Sequence, residues 1–203
     1  QVVDQLAKGV GSLLKGRKVS VFDGSGSLTG PGAVKVSGGS SGELELTGDA
    51  IIIATGSVPR TIPGFEVDGT LVVSSDEFLS LRELPGRAVV IGGGAIGCEF
   101  ATTMADMGTE VTILEALPKI LPGCDEDITK LVERSFKKRG IGIRTGVSVS
   151  GHTPREGGGT TVHVGDDDLE VDLVVVSVGR APVTEGLGLD SVGVQVGERG
   201  HVV

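Results

Sequence analysis

Arg87-Ala88-Val89-Val90-Ile91-Gly92-Gly93-Gly94-Ala95-Ile96-Gly97-Cys98-Glu99-Phe100 decides how the rest of this chain is read. An apolar run enters a glycine turn, and the turn opens a segment with helical patterning. Gly92, Gly94 and Gly97 stand at the G-x-G-x-x-G spacing of a dinucleotide-binding βαβ unit. The three glycines serve different ends. Gly92 permits the tight turn, Gly94 lets the backbone approach a pyrophosphate, and Gly97 lets helix lie close against strand. Gly93, Ala95 and Ile96 complete the loop, and the helix N-terminus offers free N–H groups and partial positive charge to phosphates.

Downstream, the helix is predicted to run to about Met107, with Gly108 just beyond its end. Glu110-Val111-Thr112-Ile113-Leu114-Glu115 then reads as the second parallel strand. Glu115 closes it at the place, about 20 residues past the glycines, where an acid accepts hydrogen bonds from the adenosine ribose hydroxyls. A carboxylate there repels a 2′-phosphate, and only Lys119 is near enough to oppose it, so NAD is expected over NADP. Glu99, two residues past the last glycine, has two readings: a simple complement to the helix dipole, or a contact near the nicotinamide carboxamide.

Further on, residues 125–139 are predicted as an amphipathic helix with Ile128, Leu131, Val132, Ser135 and Phe136 on one face. Residues 141–144 begin another strand. Residues 147–149 and 160–164 suggest an antiparallel meander, with Asp166, Asp167 and Asp168 at a solvated hairpin tip. Upstream, residues 1–15 carry apolar positions at helical spacing. Residues 19–22, 33–36 and 43–46 read as three antiparallel strands. Residues 65–86 form a connector with one short helix over 75–81, capped by Ser74 or Ser75.

An internal repeat organises the whole. Asp49, four apolar residues, Gly56 and Pro59 recur at the same offsets as Asp172, four apolar residues, Gly179 and Pro182. Each unbroken apolar run reads as a strand buried on both faces, and each follows a meander. Only the second copy has a glycine-turn front half upstream. The chain is therefore expected to hold parts of two related dinucleotide-binding domains.

Composition narrows the rest. A net charge of -9 over 203 residues argues against a nucleic-acid partner, which needs a basic face. No apolar stretch approaches the roughly 20 residues of a membrane span, and no signal sequence opens the chain, so a cytoplasmic protein is expected. Cys98 reads as a buried inert thiol and Cys124 as an incidental one. His152, His163 and His201 form no ligand cluster, so no metal is expected.

Ile91-Gly92-Gly93-Gly94-Ala95-Ile96-Gly97-Cys98-Glu99-Phe100-Ala101, the Ala54-Thr55-Gly56-Ser57-x-Pro59 strand end and Val178-Gly179-Arg180-Ala181-Pro182 together resemble the flavin-dependent pyridine nucleotide-disulfide oxidoreductases, and within them the dihydrolipoyl dehydrogenase branch. The similarity runs the length of the chain. It implies NAD contacts at Gly92, Gly93, Gly94, Ala95, Ile96, Gly97, Glu99, Glu115, Val147 and Gly179. It implies FAD contacts at Gly26, Thr55, Gly56 and Ser57. The fold implied is α/β: a Rossmann-like NAD domain, with a parallel sheet and a three-stranded meander, joined to part of a related FAD domain. Residues 1–68 would belong to the FAD domain, 69–86 to a connector, 87–190 to the NAD domain and 191–203 to a return toward the FAD domain.

In that family hydride passes between nicotinamide and flavin, and the flavin exchanges electrons with a cysteine pair beside a His-Glu dyad. The resemblance further implies a second subunit and a lipoyl domain of a 2-oxo acid dehydrogenase complex as partners. The sequence departs from the pattern by lacking the FAD glycine motif, the Cys-x4-Cys pair, the later Gly-Asp motif and the dyad. It is expected to be a central segment, with no catalytic residue of its own. The alternatives are another flavoprotein disulfide reductase or a transhydrogenase, or a non-catalytic NAD-binding module.

Overall fold

The computed structural model describes residues 2–203. They form two compact units, one from the residues up to Gly56 together with Pro182–Val203, the other from Ser57–Ala181.

The first unit begins with helix α1 (Val2–Gly16), where the expected period holds but no residue is buried; Val2, Leu6, Val10 and Leu13 are all exposed. A meander follows: β1 (Ser25–Gly30), β2 (Ala33–Ser37) and β3 (Leu44–Thr47), paired antiparallel in that order. Its first strand is not residues 19–22, as the apolar pattern suggested. Residues 25–30 win because the Pro31-Gly32 turn, with Gly32 at φ 72°, brings them back along β2 from Ser37 to Ala33. Val19, Val21 and Phe22 have no strand partner among the described residues and are exposed.

A second expectation also fails here. Residues 50–54 are not a buried strand but chain outside any described sheet, with Ile52 90% exposed. A strand needs neighbours to take its backbone N–H and C=O groups, and among the described residues none lies alongside. A short 3₁₀ turn (Leu189–Val192) completes the unit, with the Leu187 carbonyl accepting the Leu28 N–H at 2.8 Å.

The second unit opens with β4 (Ser57–Pro59), β5 (Val72–Val73) and the single-turn helix α2 (Ser75–Phe78), shorter than predicted. Ser74 caps α2 in a reciprocal box with Glu77. Then come β6 (Arg87–Ile91), α3 (Ala95–Asp106), β7 (Glu110–Glu115), α4 (Glu126–Lys138), β8 (Gly142–Thr145), the meander β9 (Val149–Pro154), β10 (Thr160–Val164) and β11 (Asp167–Val171), and finally β12 (Leu173–Val176) and β13 (Arg180–Pro182), whose last residue is counted with the first unit. The parallel sheet runs β5-β12-β6-β7-β8.

Its two faces are covered differently. Ala101 and Met104 of α3 and Phe136 of α4 pack with Val90, Ile113 and Val175 on one side. On the other, Val162, Val164 and Val171 of the meander pack with Val89, Leu114 and Val174, with Phe65 among them. β12 is buried along its length, as an inner parallel strand must be.

Two details differ from the sequence pattern. α4 buries Thr129 and Phe136, with Val132 half-buried, whereas Ile128 and Leu131 are exposed. The apolar arc is wider than the line that meets the core, and packing selects its Thr129–Val132–Phe136 edge. The tip of the β10–β11 hairpin is Gly165-Asp166. Asp167 and Asp168 already belong to β11, facing Arg144 at 3.2 Å and His163 at 2.7 Å.

Candidate dinucleotide-binding site

β6 ends at Ile91, and the chain turns at Gly92 with φ 106°. A Cβ there would stand 2.3 Å from the Ser177 carbonyl oxygen, so only glycine fits against β12. At Gly97 a Cβ would fall 2.0 Å from the Gly92 carbonyl oxygen, which is how closely α3 approaches the turn. Gly94 is different: nothing lies within 4 Å of its would-be side chain. It is the N-cap of α3 and caps no amide with a side chain. The first intrahelical bond is Cys98 N–H to the Gly94 carbonyl at 3.0 Å, leaving the amides before it without helical acceptors. Open backbone, free N–H groups and the positive end of a helix dipole coincide there.

Glu115 ends β7 with only 9% of its surface exposed. Its carboxylate accepts the Gly93 N–H at 2.6 Å and the Leu117 N–H at 2.8 Å. Lys119 does not reach it; its ammonium donates to the Cys124 carbonyl at 3.1 Å. Beneath the turn lies Cys98, whose thiol meets the Gly93 carbonyl oxygen at 3.5 Å. Burial, with the Glu115 charge second, pushes that thiol up to about 11. It is a protonated, buried cysteine, as its place in the helix predicted, while Cys124 is exposed.

A cleft of about 920 Å³ opens at the carboxyl ends of the sheet strands, where ligands of open α/β sheets bind. Gly92, Gly94, Ala95, Ile96, Glu115, Val147 and Gly179 line it together. Three residues of the predicted set stand elsewhere. Gly93 is buried with its amide turned onto Glu115, Gly97 is buried in the helix–turn contact, and Glu99 is exposed on a separate concavity with Phe100 and Thr103.

The sequence reading missed Ile62 and Pro63, which supply an apolar wall, and the polar rim of Ser148, Ser150 and Ser177. Phe65 anchors that wall: it is fully buried and stacks on His152 with ring centres 5.6 Å apart. A lone phenylalanine after Pro63-Gly64 in a connector was the available signal.

The positions read as flavin contacts fall in both units. Gly26 lies in β1 opposite Val36. In the same unit the Thr55 hydroxyl donates to the Val183 carbonyl at 2.5 Å, and Gly56 sits at φ 70°. Ser57 belongs to the second unit, where the Arg180 guanidinium donates to its hydroxyl at 2.8 Å and its carbonyl at 2.6 Å. The same guanidinium reaches Ser75 at 3.0 Å. The two exits of the internal repeat thus pair with each other, β4 against β13.

Comparison with known proteins agrees with this geometry. Residues 1–203 match the pyridine nucleotide-disulphide oxidoreductase family. The chain is 40% identical to a dihydrolipoamide dehydrogenase of Chaetomium thermophilum, covering 100% of this chain and 42% of that one. It is 38% identical to a dihydrolipoyl dehydrogenase of Thermus scotoductus, covering 99% and 44%. Among solved structures, the HOCl-induced flavoprotein disulfide reductase RclA of Escherichia coli matches with TM-score 0.82 and 34% identity over 91% of this chain and 42% of that chain. LpdA of Mycobacterium tuberculosis matches with TM-score 0.89 and 26% identity over 98% and 45%. The chain spans less than half the length of these relatives.

Proposed function

Because this chain belongs to the pyridine nucleotide-disulphide oxidoreductase family, we propose that it supplies the NAD(H) site, and part of the FAD site, of a flavoprotein that oxidises dihydrolipoamide with NAD. One observation carries the reading: a carboxylate at the end of β7 and the open amides of an α3 N-terminus share one cleft. The chemistry of that donor set fits a dinucleotide. The amides at Gly94 to Ile96 would hold the pyrophosphate and Glu115 would accept the adenosine ribose hydroxyls, with Val147 and Gly179 as further walls of the same cleft. The buried Gly93 and Gly97 support the turn rather than line the cleft, and Glu99 lies outside it.

NAD, when bound, supplies a hydride acceptor; the chain's part is to hold and orient it in a cleft whose apolar walls displace water. Gly26, Thr55, Gly56 and Ser57 are proposed flavin contacts. The cofactor-based division at residues 1–68, 69–86, 87–190 and 191–203 goes with that proposal. Cys98 is buried beneath the turn and Cys124 is exposed in a loop, so neither is assigned the disulfide chemistry. That step, with its His-Glu dyad, is assigned to parts of the enzyme outside these residues. A lipoyl domain as electron donor, a second subunit and a cytoplasmic setting complete the proposal; no helix among the described residues is long and apolar enough to cross a membrane.

Titration of the purified chain with NADH and NADPH, followed by nucleotide fluorescence, tests the central point. NADH is expected to bind at least about tenfold more tightly, the discrimination one buried like-charge contact provides. Equal affinity would remove Glu115 from its role, and no binding would remove the site.

A further inference from the structure

Glu115 does more in this structure than close a strand. It is a nearly buried acid to which no lysine or arginine is paired among the described residues, so two backbone amides carry its compensation. Oxygen Oε2 takes the Gly93 N–H at 2.6 Å and Oε1 takes the Leu117 N–H at 2.8 Å. Its own carbonyl accepts the Val147 N–H at 3.2 Å, and the Leu117 carbonyl accepts the Gly146 N–H at 2.9 Å. The Gly93 carbonyl in turn accepts the Leu121 N–H at 2.7 Å. The carboxylate therefore ties the glycine turn to the turn after β7, and the backbone carbonyls of Glu115 and Leu117 tie that turn to the exit of β8.

We infer that Glu115 is a positioning residue as well as a ribose acceptor: its carboxylate holds the Gly93 and Leu117 amides, so that the glycine turn has its pyrophosphate-binding shape before a nucleotide arrives. The inference rests on the dinucleotide reading above and deepens it. A carboxylate has about four lone-pair sites, so two amide bonds leave room for ribose hydroxyls. A turn ordered in advance loses less freedom on binding. The two roles separate by ligand. A residue that only reads ribose is irrelevant to a nucleotide without ribose hydroxyls. A residue that shapes the turn matters to any ligand that uses the pyrophosphate seat.

Calorimetric titration with ADP and with 2′,3′-dideoxy-ADP, on the unmodified chain, Glu115→Gln and Gly93→Ala, distinguishes them. Glutamine can accept one of the two amide bonds and not both. Loss of one bond to a charged acceptor corresponds to about tenfold in affinity, and that loss is expected for dideoxy-ADP as well as for ADP. Gly93→Ala keeps the carboxylate but puts a methyl 2.8 Å from Ile120 Cγ2 and 3.2 Å from Glu115 Oε2. It is expected to shift the turn and weaken dideoxy-ADP to a similar degree, and it carries the test if circular dichroism shows Glu115→Gln unfolded. Unchanged dideoxy-ADP affinity in a folded variant that has lost ADP affinity would overturn the positioning role and leave the ribose contact. An unmodified chain that bound neither ADP nor NADH would instead overturn the nucleotide site itself.

Discussion

Asp49 to Gly56 and Asp172 to Gly179 share one sequence pattern and meet different ends. In the second copy, residues Leu173–Val176 form β12, buried on both faces between β5 and β6. In the first, the matching residues are unpaired and Ile52 is 90% exposed. The glycine exits nonetheless agree, with Gly56 at φ 70° and Gly179 at φ 112°. A turn is written in a single residue's backbone freedom. A strand is a relation to its neighbours, and its composition states only what it would do if they were present.

Lysine at matched positions breaks the comparison most strongly. Val175 is fully buried and Ile52, its counterpart, is not. Val175→Lys is expected to destabilise the second unit by more than about 4 kcal/mol, because an uncompensated charge enters the sheet. Ile52→Lys is expected to stay within about 0.5 kcal/mol. Urea denaturation followed by circular dichroism reads both, and equal costs would mean that residues 50–54 are packed in solution.

The same contrast explains what the sequence made legible. The glycine turn, α3, β7 and β12 were readable because caps, period and special backbone angles are local to Gly92, Gly97 and Gly108. Glu115 was readable because the end of a parallel strand fixes its distance from the turn. Residues 19–22 and 50–54 were misread because their Val and Ile content reports suitability for a sheet and nothing about whether one is there. The wall at Ile62 and Pro63 was invisible for the opposite reason. It depends on Phe65 finding His152 across the fold, a long-range contact with no local periodicity. The orientation of Gly93 toward Glu115 was likewise hidden, since spacing places a residue in a turn without saying which way its amide points.

Adding one methyl to a glycine sharpens the contrast at the next level. Gly97→Ala drives a Cβ to 2.0 Å from the Gly92 carbonyl oxygen. It is expected to cost about 3 kcal/mol through backbone displacement and to abolish NADH binding by fluorescence titration. Gly56→Ala meets nothing within 4 Å and suffers only its φ of 70°, an expected cost of about 1 kcal/mol. Similar losses at both would contradict the tight helix–turn approach.

pH reports on the framed copy through Cys98. Its folded pKa of about 11 lies above the ordinary 9.0 of a free thiol, chiefly because burial disfavours the thiolate. A proton held more tightly in the folded state gives stability that is complete below pH 9 and lost as pH climbs to about 11. At about 1.4 kcal/mol per unit, the loss is at most on the order of 3 kcal/mol. Thermal melts of the parent chain and Cys98→Ala across that range should diverge; parallel curves would show the thiolate to be tolerated.

The smallest effect tests whether the neighbour, and not the residue, makes the difference. Asp172 accepts the Arg87 N–H on its carboxylate at 2.8 Å, and its own N–H donates to the Arg87 carbonyl at 2.9 Å, so β6 and β12 start locked side by side. Asp49 occupies the matching offset and is exposed, with no β6 beside it. Asp172→Ala leaves the Arg87 amide without its side-chain acceptor, an expected cost of about 1 kcal/mol, whereas Asp49→Ala is expected to be neutral in the same denaturation measurement. If the first aspartate proved the costlier of the two, the strand-start role would belong to the repeated motif itself, and exposed residues 50–54 would have to be forming a ladder that this structure does not contain.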